Sequence, residues 1–98
     1  MNIEDALEMA KARINQLRGL KEGDDDTVFF DERTIVKEYG WIFFYNSRRF
    51  LASGSIFDMI IGSGPVLVNK LNGDVFVMGS AYNVAHYISQ YETDNHIK

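Results

Sequence analysis

The sequence predicts an α+β domain: an N-terminal helix, about four antiparallel strands and a C-terminal helix, arranged in two layers. Three patterns predict it. Apolar residues near the N-terminus recur at helical spacing, the middle of the chain carries short β-prone runs broken at glycine, and helical spacing returns near the C-terminus. Ninety-eight residues, 46% hydrophobic and 24% charged, have the size and balance of one globular domain, expected to be residues 1–98.

The first helix should run from about Ile3 to Arg18, because Ile3, Ala6, Leu7, Ala10, Ile14 and Leu17 fall on one stripe. Asn2 is placed to cap it, Glu4 and Asp5 suit the positive end of its dipole, and Gly19 suits a left-handed stop. Lys21 to Asp26 reads as a loop. Val28 to Phe30 and Thr34 to Tyr39 read as short strands, and Trp41 to Tyr45, after Gly40, as the strongest. Trp41, Phe43 and Tyr45 share one face of that strand and Ile42 and Phe44 the other. Both faces are apolar, so the strand should be central and at least partly covered on both sides.

Asn46 to Gly64 keeps no regular period. It reads as a packed loop with one helical turn, burying Phe50, Leu51, Ile56, Phe57, Ile60 and Ile61. Pro65 to Gly79 reads as a hairpin about Asn72-Gly73, both of which tolerate positive φ. Val84, Tyr87, Ile88 and Tyr91 make the stripe of a second helix, capped by Ser80 or Asn83. Thr93 to Lys98 should fray.

The residue types present exclude more chemistry than they suggest. No cysteine is present, which removes disulfides, thiolate zinc sites and thiol nucleophiles, and fits a reducing compartment. His86 and His96 have no second ligand at helical spacing, so no metal and no cofactor are expected. Gly62-Ser63-Gly64-Pro65 lacks the strand and helix of a nucleophile elbow and the Lys-Ser or Lys-Thr of a phosphate loop; it reads as a turn entering a strand. No catalytic constellation remains, and the chain is not expected to be an enzyme. Met1 is followed by Asn2, Ile3, Glu4 and Asp5 rather than a basic and then apolar run, and the least charged stretch, Phe50 to Asn69, is broken by Asp58, glycines and a proline. A cytoplasmic, soluble protein is expected, away from membranes.

Charge is unevenly placed. Glu22, Asp24, Asp25, Asp26, Asp31 and Glu32 occur within residues 22–32 with no base among them, a local −6 against a net charge of −4 for the chain. A nucleic-acid binder needs a basic face, and Arg48-Arg49 alone does not supply one. The acids do not follow the alternating pattern of a calcium loop. They read either as a solvated connector or as a docking surface for a basic protein, in which Asp24, Asp25, Asp26, Asp31 and Glu32 would meet the partner.

Longer motifs add a resemblance. Gly40-Trp41-Ile42-Phe43-Phe44-Tyr45-Asn46-Ser47, Arg49-Phe50-Leu51-Ala52-Ser53-Gly54, Gly62-Ser63-Gly64-Pro65-Val66-Leu67-Val68, Asn72-Gly73-Asp74 and the closing Ala85 to Glu92 segment stand in the order and spacing of the immunity protein 35 family. The chain resembles that family from about Ile3 to Glu92, with Phe50 where tyrosine is common and Ser63 where asparagine is common. The resemblance implies a bacterial immunity protein that binds and neutralises a cognate polymorphic or contact-dependent toxin. A small heat-stable, chaperone-like stress protein is the alternative that it leaves open. The motif residues look structural and do not locate the binding surface.

Overall fold

The computed structural model describes residues 1–60 and 64–97. Helix α1 spans Ile3–Arg18: Asn2 Oδ1 accepts a hydrogen bond from the Asp5 N–H at 2.8 Å, and Gly19 ends it in the left-handed region at φ 70. Ala6, Ala10 and Ile14 are buried, whereas Ile3 and Leu17, at the two ends of the predicted stripe, are exposed. A 16-residue helix is about 24 Å long and outruns strands of three or four residues, so its ends have little sheet to cover.

Among the described residues six strands follow in two antiparallel sheets. They are β1 (Thr27–Phe29), β2 (Ile35–Lys37), β3 (Gly40–Phe43), β4 (Tyr45–Ser47), β5 (Val66–Asn69) and β6 (Val75–Val77). The larger sheet has the order β2-β3-β5-β6, and β1 pairs with β4 alone. The run from Trp41 to Tyr45 therefore divides at Phe44: β3 lies between β2 and β5, while β4 turns to β1, and the Phe30 N–H donates to the Phe44 carbonyl at 2.9 Å beside the break. Short one-turn 3₁₀ segments occupy Asp31–Arg33 and Ile56–Asp58. Helix α2 covers Arg48–Ser53 and α3 covers Val84–Asp94.

The α+β class and the element order match the sequence expectation. The layering does not. Trp41, Phe43, Val66 and Val68 face α1 with Ala6, Ala10 and Ile14, whereas Ile42, Leu67 and Met78 face the other way with Tyr39 and Tyr91, beside Tyr87 and Ile88 of α3. The helices lie on opposite faces, giving three layers where two were expected. Alternate residues of β3 and β5 are apolar on both sides, and one helix can cover only one of them.

The β5–β6 hairpin is wider than a two-residue turn. The Asn69 N–H donates to the Asp74 carbonyl and the Gly73 N–H to the Asn69 carbonyl, both at 2.8 Å, so Lys70 to Gly73 form the loop. Gly73 takes φ 76 as expected, but Asn72 stays at negative φ. Buried Asn69 organises this end: its Oδ1 accepts from the Leu71 and Asn72 N–H groups and its Nδ2 donates to the Tyr91 hydroxyl at 3.1 Å. Tyr91 in turn donates to Asp74 Oδ2 at 3.2 Å and stacks between Phe76 and Tyr39.

Asn83, rather than Ser80, caps α3, accepting from the His86 N–H at 2.9 Å. Of the tail expected to fray, Thr93 and Asp94 complete α3, and Ile97 folds back onto it. The Ile97 N–H donates to the Glu92 carbonyl at 2.8 Å, and its side chain rests against the α3-side core, because an apolar residue there gains by folding back. The burial expected of Ile61, the Gly62-Ser63 part of the turn and the fraying expected of Lys98 lie outside the described residues.

Candidate protein-binding surface

Three arginines distant in sequence converge on the acidic run. Arg18, in the last turn of α1, places its NH2 at 2.6 Å from Asp26 Oδ2, and Arg49, at the start of α2, places Nε at 3.4 Å from the same oxygen. Asp26 Oδ1 also accepts from the Arg49 N–H, and the Asp26 carbonyl from the Arg48 N–H at 2.5 Å, so Asp26 fastens the beginning of α2 to the end of α1. Thr27 Oγ1 extends the network, accepting from Arg18 NH1 and donating to Asn15 Oδ1. The Arg18 and Asp26 side chains retain only 13% and 12% exposure.

The solvated reading of the run therefore fails at Asp26, whose carboxylate is already engaged. The hydrogen bond from Arg18 holds its pKa below the ordinary value; burial opposes that shift, and Arg49 adds to it. A depressed folded pKa contributes stability that is present above the unfolded value, about 3.9, and is lost as pH falls through the folded value. Asp26→Asn should cost about 1–3 kcal/mol near neutral pH, because the arginines lose a charged acceptor. It should also weaken the acid dependence of stability. Urea melts of parent and variant from pH 7 to pH 2 check both; parallel acid limbs would show that Asp26 carries none of it.

The other candidate residues lie in two places. Asp25 is exposed, with Oδ2 at 3.7 Å from Arg48 NH2, and Asp24 Oδ1 accepts from the Asp26 N–H at 3.0 Å. Asp31 and Glu32 sit apart in the 3₁₀ segment, exposed and without an ion pair among the described residues. The nearby base, Arg33, instead lies over the rings of Phe44 and Phe30, at 4.8 and 5.9 Å.

Arg48 begins the helix that carries Leu51, and three apolar residues on and after that helix are not inside the protein. Leu51 is 50% exposed, Ile56 61% and Phe57 95%, although all three were expected to be buried. Polar residues explain this. Ser47 caps α2 by accepting from the Phe50 N–H and donates its hydroxyl hydrogen to the Asp58 carbonyl. Ser53 Oγ donates to Asp58 Oδ2 at 2.6 Å and accepts from the Ser55 N–H, Ser55 Oγ accepts from the Phe57 N–H, and Asn46 Oδ1 accepts from the Ile60 N–H. These bonds hold the backbone of the segment in place with Ser47 buried and Phe50, Met59 and Ile60 half-buried, and leave Leu51, Ile56 and Phe57 outside. The serines at 47, 53 and 55 around Asp58, with Gly54 ending α2 at φ 67, are the signal by which this shoulder could have been found.

His86 is exposed and packs tilted against the Tyr82 ring, 4.3 Å between centroids, and His96 is exposed. Among the described residues no three His, Cys, Asp or Glu side chains are grouped to hold a metal ion, and no helix is long and apolar enough to cross a membrane.

The arrangement is that of a small α+β protein with exposed apolar residues on and after a helix whose start is fastened by Asp26. The chain belongs to the immunity protein 35 family, whose model matches residues 4–93. It is also 30% identical over 53 residues to the uncharacterized protein YrhB of Escherichia coli strain K12, a stretch covering 54% of this chain and 56% of YrhB. The chain thus spans little more than half the length of that relative. No solved structure matches it.

Proposed function

We propose that this chain is an immunity protein that binds and neutralises a cognate bacterial toxin, acting in the cytoplasm of the cell that makes it and without catalysis. The observation that carries this reading is family membership across residues 4–93, since the family's description points to toxin immunity generally. The geometry supports a binding mode. Phe57, Ile56 and Leu51 supply a pre-organised apolar centre, and interfaces concentrate their energy in such anchors. Asp25 pairs with Arg48 at the start of the same helix as Leu51, while Asp31 and Glu32 add unpaired negative charge elsewhere on a chain of net charge −4. That charge would speed encounter with a basic toxin, and Asp26 would serve indirectly by holding α2 in place.

The test is co-expression with a toxin encoded beside this gene. Growth should be restored by this chain, a complex should be recovered, and an unrelated toxin should not be blocked. Failure to restore growth, or equal protection against unrelated toxins and heat-aggregating proteins, would overturn the reading; the second result would favour a chaperone-like role.

A further inference from the structure

Where α1 begins, the structure leaves a cleft that the shoulder does not share. It has a volume of about 300 Å³ and is lined by Ile3, Glu4 and Leu7 of α1, Asp31 and Thr34 around the 3₁₀ segment, and Phe43 of β3. Phe43, buried in the α1-side core, forms part of its lining, as do the apolar residues Ile3 and Leu7. Two acidic residues, Glu4 and Asp31, belong to the same lining, and neither forms an ion pair among the described residues. Arg33, the base nearest Asp31 in sequence, is held over Phe44 and Phe30.

The geometry points to this cleft as the seat of one lysine or arginine side chain of the protein partner. An apolar slot with carboxylates complements a side chain whose stem is aliphatic and whose end is cationic. The volume agrees. Pockets for whole small molecules run from about 300 to 1,000 Å³, and this cleft lies at the lower limit, suited to one inserted side chain. The assignment rests on the protein-binding reading above and adds to it a basic residue on the partner, received by Asp31 and Glu4 at the opposite end of α1 from Arg18.

The test uses n-butylguanidinium as the probe, with n-butanol and butyrate as controls, followed by amide NMR on the intact chain. The cation should produce saturable shifts confined to residues 3–7, 31–34 and 43, weakening as salt rises. Asp31→Asn, an exposed substitution that should not disturb folding, should reduce that affinity roughly twofold to fivefold, the weight of an exposed ion pair. Dispersed or absent shifts, equal binding of n-butanol, or no effect of Asp31→Asn would overturn the assignment. Shifts at these residues on concentrating the chain without probe would also overturn it, by placing a second copy in the cleft. No toxin enters this experiment, so its failure leaves toxin neutralisation standing, and failed neutralisation in cells would not alter the probe result.

Discussion

Gly40→Ala should cost about 3 kcal/mol or more, at or beyond the usual upper end for overpacking. A Cβ at this position would fall 1.9 Å from the Val68 carbonyl oxygen, 2.9 Å from its carbon and 3.1 Å from Asn69 Cα. All three are backbone atoms of β5, so no side-chain rotation relieves the clash; β3 and β5 must separate. That pair is the centre of the sheet, with Trp41 opposite Val68, Ile42 opposite Leu67 and Phe43 opposite Val66. Against a typical total stability of about 5–15 kcal/mol the loss is severe. Urea melts measure it, and a loss below about 1 kcal/mol would mean that the two strands do not approach as described.

Phe43→Ala should cost about 3–5 kcal/mol, the usual penalty for removing a buried phenylalanine. The ring is 2% exposed and meets the edge of Phe29 at 6.3 Å between centroids, within the cluster that joins α1 to the sheet. Leu51→Ala is the matched control. Leu51 lies in a comparably apolar stretch of sequence but is half exposed, so its loss should stay within about 0.5 kcal/mol. Equal losses at the two positions would remove the distinction between core and shoulder.

That contrast marks where the sequence is readable. Helix α1, the two apolar faces of β3, Gly73 and the α3 stripe follow from local periodicity and backbone preference, and these are properties of neighbouring residues. What the sequence conceals is non-local. The acidic run has no base within it, yet Arg48 and Arg49 reach Asp25 and Asp26 from 23 residues away, while Arg18 closes on Asp26 from the other side. The division of Trp41 to Tyr45 between two sheets likewise depends on which strands arrive beside it. The shoulder is hidden for a different reason. Hydrophobicity alone argues for burial of Phe57, yet it stands 95% exposed in a turn held by serine, asparagine and aspartate hydrogen bonds that no apolar periodicity reveals. Of the candidate acids, Asp26 has a structural role, whereas Asp31 stands at a cleft formed with α1 that no sequence spacing announces.

The central claim is that the chain acts by binding its toxin through this shoulder. The direct measurement is the dissociation constant of the toxin complex for parent and Phe57→Ala. Because Phe57 is 95% exposed, the variant should melt with the parent. A central anchor is worth about 2 kcal/mol or more, so affinity should fall about 30-fold or further, mainly through faster dissociation. A variant that folds normally and binds as tightly as the parent would contradict the account.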